Sequence, residues 1–416
     1  MEAVEDIVIV GAGIAGLATA LGLHRLGLRS LVLESSDGLR TTGTTGFALG
    51  IWTNGWKALD AVGVGESLRR QHNRLLRVMT SSTISGLCTA EIPLSAMGPQ
   101  RDHEFRCVQR KILLETLEKE LPSGTIKFSS KVVSIEESGY LKLIHLSDGS
   151  ILKAKLLIGC DGVNSAVAKW LGFKKPAFVG RFGIRACVYY ENGHGLEPKI
   201  FLFMGEGVRY GVIPCDDKTI YWFFSFSPSN QDKEIIDNPS KMKQFVLSKL
   251  GKVADNIKAV IDDTELDDMM LSPLRFRHPW EILWGSISKS NVCVAGDAFH
   301  PMTPDIAQGG CAALEDGVIL ARCLGEAMRE RQVIKSEGKG MEEEDEYKRM
   351  EMGLRNYAKE RRWRAFQLIT TAYMVGYMAQ SNGKIWNFLS NIVLARFLAG
   401  QLPRIARYNC GKLRIS

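Results

Sequence analysis

Three glycines, Gly11, Gly13 and Gly16, follow a short β-branched run at 6–10 and precede a helical pattern to about residue 26. A turn of this kind lets the backbone approach a pyrophosphate closely, and the helix N-terminus behind it holds negative charge. A second apolar run, 30–33, ends in Glu34, 18 residues beyond Gly16. A carboxylate there accepts hydrogen bonds from an adenosine ribose. Gly11, Gly13, Ala15, Gly16 and Glu34 are therefore candidate contacts to a dinucleotide, with FAD and NAD(P) both open at this point.

Two later segments carry the same logic. Residues 155–160 form a strand pattern ending in Asp161-Gly162, and 291–295 form one ending in Gly296-Asp297. An aspartate at the carboxyl end of a strand lies in the ligand crevice of an open parallel sheet. The second segment runs on through His300, Pro301 and Asp305 to Gln308-Gly309-Gly310, which opens a helix. The dipole of that helix can stabilise negative charge, as on a reduced flavin ring. Arg110 opens another helix pattern, where its charge opposes the dipole, so an external phosphate is a sensible partner.

The elements that must position these residues read as a βαβ opening, followed by a strand meander over 126–157. From 179 to 227 the texture turns to alternating and aromatic runs, which predicts an antiparallel sheet inserted into the α/β unit. The division expected is a discontinuous cofactor domain (1–73, 105–178 and 271–330), a substrate domain (74–104 and 179–270), and a C-terminal part (331–416). That last part reads as a charged mobile loop over 331–346 and then helices. Phe47, Phe203, Trp222 and Phe224 are candidate linings of an aromatic pocket, with core packing the default for such residues.

Composition narrows the function classes. The chain has 416 residues, 45% hydrophobic and 24% charged, which suits a globular protein with a sizeable core and excludes collagen-like or disordered readings. The net charge of +7 is uneven, since residues 361–416 carry nine Lys/Arg and no Asp/Glu. No stretch interleaves basic and aromatic residues densely enough for nucleic acid. The nine cysteines and seven histidines are scattered without metal-ligand spacing, so no metal is expected and the thiols read as reduced. With no membrane-length apolar run and no leader pattern at the N-terminus, a cytoplasmic location is expected.

The motifs GAGIAG at 11–16, CDG at 160–162 and GDAFHPMTPDIAQGGCAALEDG at 296–317 together resemble the group A flavoprotein monooxygenases, of the para-hydroxybenzoate hydroxylase type. The opening segment is similar to plant members described as monooxygenase 1 or FAD-dependent urate hydroxylase-like. The resemblance implies an α/β, Rossmann-like FAD-binding fold with an inserted antiparallel-sheet substrate domain and C-terminal helices. It implies Glu34 on the adenosine ribose and Asp297 on the ribityl chain. Arg110, Asp161 and Pro301 would lie near the FAD, and Gly309-Gly310 at the pyrimidine edge of the flavin. NAD(P)H would act as a transient co-substrate, in keeping with the lack of a second glycine-rich fingerprint. The activity implied is hydroxylation, or oxidative decarboxylation, of a small aromatic or heteroaromatic substrate by O2 through a flavin C4a-hydroperoxide. Arg209, Tyr221 and Asp305 match the active-site Arg, Tyr and Asp of bacterial urate hydroxylases. Arg209 would bind an anionic substrate, Tyr221 would orient it, and Asp305 would either orient Arg209 or accept a proton. A flavin-dependent reductase and a non-catalytic binding protein are the rival readings on this fold.

Overall fold

The computed structural model describes residues 4–39, 47–94, 103–205, 207–228, 238–329, 339–380 and 400–413. Parallel strands bring the sequence motifs to one edge. Val4–Val10 pairs in parallel with Leu31–Leu33 and with Ile151–Gly159, and the latter pairs in parallel with Val292–Val294. The register sets Leu33, Val10, Gly159 and Val294 in one row. The residues that follow each strand (Glu34, Gly11, Asp161 and Gly296-Asp297) therefore leave the eight-stranded sheet at its carboxyl edge. These strands are apolar without alternation because both faces of the sheet are covered. The meander 132–146 pairs antiparallel onto this sheet.

Two helices begin at the same edge. Ile14–Arg25 is buried from Ile14 to Leu23, a helix apolar on all sides and enclosed on all sides. It crosses Gly309–Arg329 at very close range. A Cβ on Gly22 would lie 2.8 Å from the Ala321 methyl, and one on Gly317 would lie 2.7 Å from that of Ala18. Small residues at the crossing bring the two N-termini together beside the crevice.

A seven-stranded sheet, in the order 269–276, 177–189, 219–226, 208–214, 199–205, 77–82 and 88–93, forms the second unit. Its pairs are antiparallel except for 199–205 with 77–82, which run parallel. The strand Met269–Phe276 closes this sheet, so the chain returns to the cofactor unit after 276, beyond the expected boundary at 271. One face buries Phe203, Tyr210, Trp222, Phe224 and Phe226 against the helices Pro239–Lys249 and Asp255–Asp262. Phe203, Trp222 and Phe224 thus line a core on the side away from the crevice and form no substrate pocket. The other face, which carries Arg185, Arg209, Tyr221 and Phe223, turns toward the cofactor unit.

The C-terminal part is more ordered than its composition suggests. Lys339–Gln380 is a single 42-residue helix, so 339–346 are helical rather than part of a mobile loop, while 330–338 lie outside the described residues. It packs along Gly309–Arg329 and reaches the short 3-10 turn Pro304–Ile306. No described helix is long and apolar enough to cross a membrane.

Candidate active site

The glycine turn is built by contacts that exclude side chains at two positions and leave the third open. Gly11 has φ +102°, and a Cβ there would sit 2.5 Å from the Cys160 carbonyl oxygen. A Cβ on Gly16 would run into the Gly11 carbonyl. At Gly13 nothing lies within 4 Å of the Cβ position, so its missing side chain serves the space outside the protein. The helix behind it has no capping side chain and no acid in its first turn. Ala15 turns its methyl against Gly296, where a Cβ would come within 2.7 Å, so a small residue is required on both sides. Glu34 is buried and accepts from the Ala12 N–H at 2.9 Å and the Ser36 N–H at 2.9 Å, which fixes its carboxylate beside the turn.

Across the same edge stand Arg110 and Asp297. The Arg110 main chain donates to the Phe47 carbonyl at 2.8 Å, and its side-chain Nε is buried without a hydrogen-bond partner. Burial pushes the Arg110 pKa down, against the opposing charge of Asp297. Asp297 is exposed in the crevice yet ringed by protein. That desolvation raises its carboxyl above the usual aspartate range, although His300, Arg110 and Arg185 oppose the shift. Gly309 is open toward Met302, while Gly310 packs directly on Leu49. An uncapped helix start, an open Gly13 and an orphaned buried guanidinium nitrogen together fit a dinucleotide with an anionic middle, and FAD is such a group.

Two expected contacts have local duties. Asp161 accepts from Ser165 Oγ at 2.5 Å and from the Ala166 N–H at 2.7 Å, fastening the start of the helix Ala166–Trp170. Its main chain packs on Gly11, and burial raises its carboxyl pKa despite those bonds. The Pro301 carbonyl accepts from the Arg277 N–H at 3.0 Å, which anchors the loop after the Gly-Asp motif.

The substrate-side residues assemble around Asp305. Arg209 Nη1 donates to its Oδ1 at 3.0 Å and Nη2 to its main-chain carbonyl at 3.2 Å. Arg181 makes a second fork, Nη1 to Oδ1 at 3.2 Å and Nη2 to Oδ2 at 2.8 Å. Burial would raise the Asp305 pKa, but Arg181 and Arg209 hold it below the ordinary range. A carboxylate held low by two guanidinium forks is a weak base, and its bonds fix the positions of Arg181 and Arg209. The long C-terminal helix closes over the cluster, since a Cβ on Gly376 would run into Asp305 and Arg181. Tyr221 shares the sheet face with Arg209 but lies four residues along its strand from Ser225, the partner of Arg209. No hydrogen bond joins it to Asp305 among the described residues. Burial raises its phenol pKa, so it remains a hydrogen-bond donor.

Sequence reasoning missed Arg181, Arg185 and Phe223, which share this face with Arg209. The signal was present as a period of two: in RFGIRAC (181–187) the residues 181, 183, 185 and 187 alternate with the apolar 182, 184 and 186. Also missed was a buried network behind the Gly-Asp motif. Asp316 accepts from the Gly296 N–H at 2.7 Å, pairs with His300 at 2.6 Å, and is bound by Arg361 at 2.5 Å. Glu315 receives Arg361, Arg364 and Asn54. His300 is fully buried in this network, a positioning residue.

The chain is similar to known proteins in sequence and in fold. The family model described as FAD binding domain matches residues 5–335. Monooxygenase 2 of Arabidopsis thaliana is 52% identical over 414 residues, 99% of each chain. Monooxygenase 1 of the same plant is 36% identical over 420 residues, 98% of this chain and 99% of its own. The crystal structure of Klebsiella pneumoniae HpxO complexed with FAD and uric acid superposes with a TM-score of 0.76 at 23% identity, covering 98% of this chain and 96% of that one. The carboxyl-edge crevice, its glycine turn and these full-length relatives lead to one conclusion: the chain belongs to the FAD-binding-domain family of flavoproteins and is an FAD-dependent monooxygenase.

Proposed function

We propose that this enzyme uses NAD(P)H and O2 to hydroxylate a small, electron-rich aromatic or heteroaromatic substrate bound between the seven-stranded sheet and the flavin crevice. The observation that carries the reading is the Arg209–Asp305 pair, which joins the substrate sheet to the loop that leads into the Gly309-Gly310 helix start. The uric acid complexed with Klebsiella pneumoniae HpxO is a compound of that class.

FAD, once bound and reduced, supplies activated oxygen from O2. The chain's own groups position the target. Arg209 is buried with both terminal nitrogens on Asp305 and its Nε unpartnered, so the Nε–H and the charge of the held guanidinium are what it offers to an electron-rich ring or its anion. Asp305 stays ionised and keeps Arg209 fixed. Tyr221 donates a hydrogen bond, and its ring lies 6.4 Å from that of Phe223 on the apolar wall that excludes water. Glu34, the glycine turn, Arg110 and Asp297 hold the cofactor, and NAD(P)H visits it transiently.

The test is a panel of phenolic acids and purines supplied to FAD-loaded protein with NADH or NADPH under 18O2. At least one compound is expected to stimulate NAD(P)H oxidation and to gain one labelled oxygen atom. NAD(P)H oxidation that yields only hydrogen peroxide across the panel would count against hydroxylation.

A further inference from the structure

The exposed tryptophans gather on one face of the molecule. Trp280 and Trp284 lie one turn apart on the short helix Pro279–Trp284, and Trp363 lies on the helix Lys339–Gln380 that packs beside it. Trp284 is 80% exposed and Trp363 66%, and no other tryptophan among the described residues is exposed. Arg362 fastens the two helices together, its Nη1 donating to the Ile282, Leu283 and Gly285 carbonyls at 2.5 Å, 2.7 Å and 3.0 Å.

Along the long helix Trp363, Phe366, Tyr373 and Tyr377 recur at steps of three, seven and four, which sets them in one stripe. Stacked rings join this stripe to the short helix. Tyr373 stacks on Phe276 at 4.8 Å, Phe276 meets His278 edge-on at 4.9 Å, and His278 stacks on Trp280 at 4.3 Å. The result is a continuous aromatic surface left to water, and such a surface marks an interaction site.

Its composition and its rim select the occupant. Trp and Tyr pair an apolar ring with a polar edge and suit the lipid headgroup layer, whereas a helix-to-helix seam at these spacings uses Leu and Ile. Lys174 and Lys175 are exposed at the rim. The Lys174 carbonyl accepts from Arg277 Nη1 at 2.9 Å, and the strand that follows pairs Ala177 with Phe276. Glu281, the one acid of the short helix, is turned inward to Arg277 at 3.4 Å. The long helix carries no Asp or Glu from 361 to 380. A cationic rim without exposed counter-charge on these helices complements an anionic surface.

We propose that this face docks on a membrane carrying anionic lipids, with the aromatic rings in the headgroup layer and Lys174 and Lys175 on the lipid charges. The docking face is the outer side of the helix that covers the substrate cluster, since Gly376 of the same helix packs on Asp305 and Arg181. Docking thus sets that cluster about one helix diameter, roughly 10 Å, from the lipid. It does not depend on the chemistry at the flavin.

The test mixes FAD-loaded, full-length protein with vesicles of phosphatidylcholine alone, or of phosphatidylcholine and phosphatidylserine in equal parts. Binding is followed by sedimentation and by tryptophan emission. The wild type is expected to bind the mixed vesicles with a blue shift, and to bind the neutral ones at least about tenfold more weakly. Trp284→Ala/Trp363→Ala should lower binding at least about tenfold with FAD content unchanged. Lys174→Glu/Lys175→Glu should lower binding to the mixed vesicles by a similar factor. Failure to bind either vesicle, or equal binding to both, would overturn the proposal. So would undiminished binding in either double variant, and the lysine pair decides alone if the tryptophan pair melts early. A dimer in analytical ultracentrifugation that the tryptophan pair abolishes, without vesicle binding by the wild type, would give the face to a second copy and would also overturn it.

Discussion

Arg209 holds Asp305 at two points, the carboxylate at 3.0 Å and the main-chain carbonyl at 3.2 Å. The second bond matters most for position, because it fixes the backbone of the loop and not only a side chain. A strand of the substrate sheet is thereby tied to the turn that leads into the Gly309-Gly310 helix start.

The glycine turn separates folding from cofactor retention. Gly13 has an extended backbone (φ −80°, ψ −173°) that any residue adopts, and its Cβ position is empty. Gly13→Leu should therefore fold with the apoprotein's melting temperature but purify without FAD. Gly16→Ala should lower that melting temperature, because its methyl collides with the Gly11 carbonyl. Absorbance at the flavin bands and calorimetry of the apo forms read the two effects apart.

Burial raises the Asp297 carboxyl above the usual aspartate range, a cost to its ionised form that the fold does not require and that a ligand would offset. Asp297→Ala should weaken FAD binding by about 1–3 kcal/mol, roughly 5- to 150-fold in Kd, as for loss of one hydrogen bond to a charged group. The stability of the apoprotein should be equal or higher. Fluorescence titration with FAD measures the first, and thermal unfolding the second.

The buried network around Asp316 predicts an acid limit to stability. Burial works against its ionised form, yet the charges of His300 and Arg361 hold its pKa down to about 2. A folded pKa below the ordinary aspartate value contributes stability that is complete above about pH 4 and is lost as pH falls toward 2. The contribution at neutral pH is about 2 kcal/mol, and Asp316→Asn should remove this acid limb from urea-unfolding data collected between pH 2 and pH 5. Arg361→Met should cost about 3–5 kcal/mol at neutral pH, because Glu315 and Asp316 lose a buried partner together.

The cofactor side of the site was legible because it is local. A strand, a glycine turn and an acid 18 residues on are read from spacing alone, and the parallel register then brings the other strand ends into line. The substrate side was not, because it depends on which face of a strand turns inward. Arg181 and Arg185 alternate with apolar residues as surface residues do, and only the second layer decides that their face is covered. Trp222 and Phe224 went the opposite way for the same reason, being adjacent to Tyr221 and Phe223 but on the helix-covered face. Arg361 pairs with Asp316 across 45 positions, a distance over which no spacing rule operates.

The measurement closest to the central claim compares Arg209→Lys, Arg209→Ala, Asp305→Asn and the Arg209→Ala/Asp305→Asn double variant, with product formation and FAD content followed side by side. Lys keeps the charge but cannot reach the Asp305 carboxylate and carbonyl with one planar fork. Arg209→Lys should therefore lose nearly as much as Arg209→Ala, about 2–4 kcal/mol or roughly 30- to 1,000-fold in kcat/KM. The double variant should be far less impaired than the product of the singles, because both residues act through one contact. FAD content should remain that of the wild type throughout. Wild-type turnover in Arg209→Ala, with the flavin fully loaded, would contradict the account and remove Arg209 from the substrate site.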